Sequence, residues 1–244
     1  MPIPRFFVDL PLAPNSRLAL PEAAAHHAVR VLRLRDGETL SLFNGQGGEF
    51  PGVLQVDGRA AAVELGAQDP REAELAGAIT LVQGLPSGDK MDWIVEKAVE
   101  LGVHAIVPIA ARRSVLQLSG ARQDKRLAHW RRIAVSASEQ CGRNRLLHVA
   151  EPVTLEQWLA QPSTGLRVLC HPEGGMPYTD ALRAADTLRE LALLVGPEGG
   201  WDEGELAAAR RAGTQAVTFG PRILRTETAG LALAAAAAAT LNWV

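Results

Sequence analysis

Aromatic residues make up only 5% of this 244-residue chain, with five Trp, five Phe and one Tyr. That is too few for a platform on which successive bases stack regardless of sequence. Cysteine is scarcer still. Cys141 and Cys170 supply neither a disulfide framework nor a thiolate metal site, which fits a reducing cytoplasm. His129, His148 and His171 are not at metal-ligand spacings, so no metal is expected, and no Ser/His/Asp or Cys/His set can be assembled. Neither sign of charge dominates: 25 Lys and Arg against 27 Asp and Glu leave a net charge of −2, no global signal for nucleic acid. The opening MPIPRFFVDLPL has no basic region followed by a long apolar core, so no signal peptide is expected. The Ala-rich run Leu231–Leu241 is too short and too weakly apolar to span a bilayer. The expectation is a cytoplasmic protein without a membrane segment.

What is present falls into two parts. Residues 2–66 read as β-rich, with candidate strands at 5–8, 17–20, 39–43, 49–56 and 60–65 and one helix near 22–31 after Pro21. Asp36-Gly37, Asn44-Gly45, Gly47-Gly48 and Asp57-Gly58 are turn signals between them, the last a two-residue hairpin loop. Small closed barrels commonly house such strands. The polar stretch AQDPREAE at 67–74 carries a proline and marks a boundary, giving expected domains 1–72 and 73–244. From Ala76 strands and helices alternate. Strands are expected at 78–85, 104–109, 167–170, 191–195 and 216–219; helices at 90–101, 121–141, 154–159, 178–188 and after Asp202. That alternation predicts an α/β fold, a mostly parallel sheet covered on both faces.

Two loops carry the chemistry. Gly196-Pro197-Glu198-Gly199-Gly200 follows the strand ending at Val195, and Gly220-Pro221-Arg222-Ile223-Leu224-Arg225 follows the one ending at Phe219. Ligands of parallel sheets bind beyond the carboxyl ends of the strands, where both loops fall. The first loop lacks the Lys-Ser/Thr of a P-loop and the GxGxxG of a dinucleotide fold, and Glu198 would repel phosphate. A ligand without phosphate, held through backbone groups, fits better. The second loop places Arg222 and Arg225 around an Ile-Leu shelf, with Thr226 available to cap the last helix. Three segments are therefore expected to grip the ligand. They are the strand end with Leu169 and His171, the stretch Val195, Gly196, Pro197, Gly199 and Gly200, and the stretch Phe219, Gly220, Ile223, Leu224, Arg225, Thr226, Thr228 and Ala229.

Basic residues cluster despite the balanced total. His26, His27, Arg30, Arg33 and Arg35 form one group, Arg112-Arg113 a second, and Arg122, Lys125, Arg126, Arg131 and Arg132 line a helix that leads to Arg143 and Arg145. One such cluster is ordinarily a solvated face; three of them point to a polyanionic partner.

Six segments in this order resemble one family: HHAVRVLRLRDGE (26–38), KMDWIVEKAVELGV (90–103), RRSV (112–115), SEQCGRNR (138–145), VGPEGGW (195–201) and FGPRILRTETA (219–229). Together they are similar to the RsmE-type 16S ribosomal RNA uridine-N3 methyltransferases of the SPOUT superfamily. The match runs nearly end to end; Cys141 within SEQCGR and Pro51 in the β-rich part are small departures. The resemblance implies an N-terminal PUA-like barrel for RNA and a C-terminal domain whose last segment is tucked into a trefoil knot. It also implies S-adenosylmethionine as cofactor, a homodimer, and ribosomal RNA of the small subunit as partner. The RNA contacts expected on this basis are Arg5, His27, Arg30, Arg33, Arg35, Arg122, Arg126 and Arg132.

Uridine N3 carries a proton and is a poor nucleophile until that proton leaves. Negative charge then develops on the flanking carbonyl oxygens and needs cations or amide donors. Arg225 is the expected cation, with Arg112 or Arg143 reaching the site from either subunit. The base stays open: Glu198 is a candidate that could instead only shape its loop. Alternatives are methylation of another RNA base, a non-catalytic RNA-binding protein, which leaves both loops unexplained, and a nucleotide-dependent oxidoreductase, which lacks its GxGxxG fingerprint.

Overall fold

The structure is a computed structural model describing residues 3–58, 60–171, 174–185 and 187–244. It divides into two compact units: residues up to Glu74 together with Val135–Leu146, and Leu75–Ala134 together with Leu147–Val244.

The first unit is built on five short strands, β1 (Arg5–Phe7), β2 (Arg17–Ala19), β3 (Thr39–Phe43), β4 (Phe50–Asp57) and β5 (Ala60–Leu65). They form one sheet in the order β1-β3-β4-β5-β2, antiparallel except for the β1–β3 pair. In β4 the two-residue period turns Phe50, Gly52 and Leu54 inward and leaves Pro51 and Val53 exposed. The inward side chains join Phe6, Leu40, Leu42 and Val63 in a core closed by Ala25 and Ala28. Those two alanines lie on α1 (Glu22–His26) and on the π turn His27–Val31 that continues it, so the helix expected over 22–31 changes pitch halfway. Asp57 pairs with Ala60, so the hairpin turn starts at Gly58 (φ 58°), one residue later than the Asp-Gly pair suggested; Arg59 lies outside the described residues.

The chain returns to this unit at Val135–Leu146. Residues 135–146 fall in the expected C-terminal domain, but polar groups of SEQCGRNR find partners on Arg5 and Phe7 of β1 and on Arg71 and Glu74. Glu139 accepts the Phe7 N–H at 2.9 Å. Asn144, with no exposed surface, accepts from Arg5 Nη2 at 2.8 Å and donates to the Arg71 carbonyl at 2.7 Å. A buried amide left without these bonds would cost about 1–3 kcal/mol, which explains why this segment belongs where it does.

The second unit is a seven-stranded parallel sheet in the order β10-β12-β9-β11-β6-β7-β8. Its strands are β6 (Ala78–Gly84), β7 (Ala105–Ile109), β8 (His148–Val149), β9 (Leu166–Cys170), β10 (Met176–Pro177), β11 (Glu190–Val195) and β12 (Gln215–Thr218). The two-residue strands β8 and β10 have no apolar run of their own and were not legible in the sequence. The helices are α2 (Lys90–Glu100), α3 (Gly120–Cys141, of which residues 135–141 belong to the first unit), α4 (Leu155–Leu159), α5 (Tyr178–Arg183), α6 (Glu203–Arg211) and α7 (Thr226–Thr240). The helix expected over 178–188 stops at Arg183; Asp186 lies outside the described residues. Both expected capping boxes are present, Thr154 with Gln157 and Asp202 with Glu205, each bond reciprocated.

Helices α4 and α6 pack on each other, and with Val82, Leu169 and Leu194 of the strands they form a core cluster around Trp158 and Trp201. Helix α7 packs on β6 and β11 and against α2 and α5. Gly230 permits this, since a Cβ there would lie 2.6 Å from Leu81 Cδ1. The parallel arrangement brings the ends of β6, β9, β11 and β12 to one edge of the sheet, and the loops that follow them build the site.

Candidate active site

Beyond those strand ends lies a cavity of about 450 Å³ within the second unit. Its walls come from the end of β9, the loop after β11, the loop after β12 and the first turn of α7, with α2 and the segment after β7 closing it. Of the expected ligand-gripping residues, His171, Val195, Gly196, Pro197, Gly200, Phe219, Gly220, Ile223, Leu224, Arg225, Thr226 and Ala229 line it. Three do not. Leu169 points into the core cluster beneath and is 4% exposed. Gly199 faces the backbone of Arg113: a Cβ on it would sit 3.1 Å from the Arg113 carbonyl oxygen. Thr228 is exposed, its N–H bonded to the Arg225 carbonyl.

The two signature loops are tied by a buried relay. Gln83 Nε2, on β6, donates to Thr226 Oγ1 at 2.9 Å, and Thr226 Oγ1 donates to the Gly196 carbonyl at 2.6 Å. Thr226 was expected to cap α7. Instead Arg225 is the N-cap residue with no side-chain cap bond, and the Thr226 hydroxyl joins the loops.

Glu198 is fully engaged. It accepts from Lys90 Nζ at 2.7 Å, from Ser87 Oγ at 2.7 Å and from the Ser87 N–H at 3.1 Å. Burial alone would raise its pKa, but the hydrogen bonds from Lys90 and Ser87 outweigh this and bring it down to about 2. A carboxylate so held is a poor proton acceptor at neutral pH, which counts against Glu198 as the base. Lys90, paired with Glu198 and 3.5 Å from Glu227 Oε2, is held protonated, its pKa raised first by the Glu198 hydrogen bond.

The two arginines expected beside Arg225 are committed elsewhere. Arg112 forks between Asp202 at 3.1 Å and Glu156 at 2.8 Å and does not line the cavity. Arg143 belongs to the first unit, where its buried guanidinium bonds Glu74 at 2.6 and 3.0 Å. The neighbour of Arg112, Arg113, does line the cavity, with Nη1 3.3 Å from the Gly199 carbonyl. Lys90, Arg113, Cys170, Trp201, Arg222 and Glu227 complete the wall beyond the expected set. KMDW and RRSV flagged the first and second of these, but helix periodicity hid Lys90 and nothing in the sequence distinguished Arg113 from Arg112. Burial pushes the Cys170 thiol up, so it is no thiolate nucleophile.

The lining suits S-adenosylmethionine. Gly200 adopts φ 67°, and a Cβ built on it would meet nothing within 4 Å, so the loop leaves open space at its tip. Trp201 Nε1, buried in the wall, has no hydrogen-bond partner. The wall is apolar at Val195, Leu224 and Ala229 and offers backbone groups of both Gly-rich loops, surfaces for the adenosine part of such a ligand.

Among the expected RNA contacts, Arg30, Arg33, Arg35, Arg122 and Arg132 are exposed. His27 is half-buried edge-on to Phe6, and Arg126 pairs with Asp89 at 3.2 Å. Arg5 is half-buried and already committed, ion-paired with Glu49 and placed over the Phe43 ring at 4.9 Å.

Known proteins share this arrangement. A family model described as an RNA methyltransferase domain matches residues 73–238, and one described as an RNA methyltransferase PUA domain matches residues 20–65. The ribosomal RNA small subunit methyltransferase E of Bacillus subtilis is 30% identical over 93% of each chain; that of Mycobacterium tuberculosis is 35% identical over 89% of this chain and 84% of its own. The crystal structure of the enzyme of that name from Neisseria gonorrhoeae, bound to S-adenosyl methionine, superposes with TM-score 0.89 at 37% identity over 97% of both chains. A putative methyltransferase from Legionella pneumophila, also with bound cofactor, gives TM-score 0.91 at 29% identity over 98% of both.

Fold and site thus define an RNA methyltransferase of the SPOUT class, with a PUA unit preceding its catalytic α/β domain. Within that class, the chain belongs to the ribosomal RNA small subunit methyltransferase E family.

Proposed function

We propose that this protein transfers a methyl group from S-adenosylmethionine to N3 of a uridine in 16S ribosomal RNA, working in the cytoplasm as a homodimer on the small ribosomal subunit. The observation that carries the reading is the cavity itself: two Gly-rich loops at parallel strand ends, joined through Gln83 and Thr226, enclose a pocket walled by cations. A non-catalytic RNA-binding protein would have no use for it. When bound, the cofactor supplies an electrophilic methyl group on a sulfonium and leaves as a neutral thioether.

The protein supplies position and charge. Val195–Gly200 and Phe219–Ala229 hold the cofactor side of the cavity. Arg225 holds the charge that develops on the uracil carbonyl oxygens, and Arg113 takes the place first assigned to Arg112. Fixed cations in a water-poor site stabilise such charge without reorganising during the reaction. Holding the acceptor nitrogen in line with the methyl group removes much of the entropic barrier. The exposed Arg30, Arg33, Arg35, Arg122 and Arg132 serve the phosphate backbone, and binding weakens as salt rises.

Gly200→Val tests the assignment. A valine at φ 67° fills the open tip and carries a strain of about 1–2 kcal/mol. Isothermal titration of a variant that remains folded by circular dichroism should show S-adenosylmethionine affinity reduced by roughly tenfold or more. Unchanged affinity would remove the ligand from this cavity.

A further inference from the structure

Two carboxylates line the cavity, and they differ in their partners. Glu198 has three short hydrogen bonds. Glu227, in the first turn of α7, has an Oε2 with no hydrogen-bond partner, Lys90 Nζ being 3.5 Å away. Its side chain retains 21% of its surface, and it lies between Thr226, fixed by the loop-joining relay, and Thr228. Helix α7 therefore places in the cavity wall a carboxylate with vacant acceptor capacity, its Oε2 buried without a hydrogen-bond partner and the side chain as a whole still partly exposed. A first-turn acid also suits the helix dipole. That role needs no place in the cavity wall, and Glu227 has one.

We infer that Glu227 is the proton acceptor that activates uridine N3. The inference rests on the uridine-N3 reading above. The N3 proton passes to the Glu227 carboxylate, and the electron pair left on N3 forms the new bond to the methyl carbon. The pair of the broken carbon–sulfur bond stays on sulfur. Glu227 then returns its proton to solvent. Lys90, shared between Glu198 and Glu227, holds the carboxylate in place and is a positioning residue.

The test compares wild type with Glu227→Gln, which keeps size and helix contacts, and with Glu227→Asp, which keeps the carboxylate. Methyl transfer to small ribosomal subunits lacking the modification is followed from pH 6.5 to 9.5, and S-adenosylmethionine affinity is measured by titration. The charged or titratable groups around Glu227 in the cavity are Lys90, Arg113, Cys170, His171, Glu198, Arg222 and Arg225. All are present in both proteins, so the difference between the two profiles reports residue 227. Glu227→Gln should keep cofactor affinity and lose about 10²–10⁴-fold in rate at neutral pH. The loss should shrink as pH rises, because uracil N3 ionises unaided in alkali. Glu227→Asp should fall between. A variant as fast as wild type at pH 7, a loss that does not recover in alkali, or a loss of cofactor affinity to match the rate would each overturn the inference. If wild type places its methyl group on an atom other than uridine N3, the reaction reading fails first, and that result is separate.

Discussion

At the scale of single residues, the site is decided by which side chains already have partners. Arg112, Arg143 and Arg5 looked available because residue type is visible in a sequence and commitment is not. Each holds a carboxylate in the structure: Asp202 and Glu156, Glu74, and Glu49 respectively. Glu198 is the reverse case, a suspected base that its donors keep ionised. Its folded pKa is depressed from 4.5 to about 2. Its ionised form therefore contributes stability that is present above pH 4.5 and lost as pH falls through about 2. Glu198→Gln removes that dependence. Urea melts at pH 5.5 and pH 2.5 should show wild type ahead of the variant at the higher pH, with the gap narrowing at the lower. A gap that is constant between the two would mean the carboxylate is not held as described.

At the scale of elements, most of the fold was legible. Apolar runs bounded by glycines marked β6, β7, β9, β11 and β12, and capping chemistry placed α4 and α6. The second loop was legible because two arginines flanking an Ile-Leu pair do nothing for a core, whereas a Gly-rich turn taken alone reads as a tight turn. What could not be read were features set by partners in space: the π turn at His27–Val31, the two-residue strands β8 and β10, and the Thr226 hydroxyl joining two loops instead of capping a helix. Helix α7 shows both sides of this. Its buried face, Ala229, Leu233, Ala234, Ala237 and Ala238, packs within the unit, while Ala235 and Ala239 face outward with no charged residue from Thr228 to Thr240. An apolar outer face on a terminal helix suits close approach of a second copy. Ala235→Glu with Ala239→Glu should yield monomers by sedimentation at micromolar concentration and lose activity with them. A double variant that stays dimeric would place the interface elsewhere.

At the scale of the whole molecule, the division of the chain matters for any attempt to take it apart. Truncation near residue 74 follows the boundary seen in the sequence but strips Val135–Leu146 of the strands it packs with. Arg143, 3% exposed, would lose its ion pair with Glu74. Glu74 keeps 20% of its side-chain surface, so Glu74→Ala should lower stability by about 1–3 kcal/mol in chemical melts, the range for a charge-assisted hydrogen bond lost from a partly buried site. A loss below about 1 kcal/mol would show the pair behaving as a surface contact. The RNA contribution of the first unit is therefore better tested by Arg30→Ala, Arg33→Ala and Arg35→Ala together than by deletion, since all three are exposed.

The central claim, methyl transfer to uridine N3 of the small-subunit RNA, is tested most directly by the identity of the product. Purified protein is incubated with small ribosomal subunits lacking the modification and with methyl-labelled S-adenosylmethionine, and the RNA is digested and its nucleosides separated by mass spectrometry. The account predicts label in 3-methyluridine, mapping to one position of 16S ribosomal RNA. Label in a ribose, in another base, or in no nucleoside at all would contradict it.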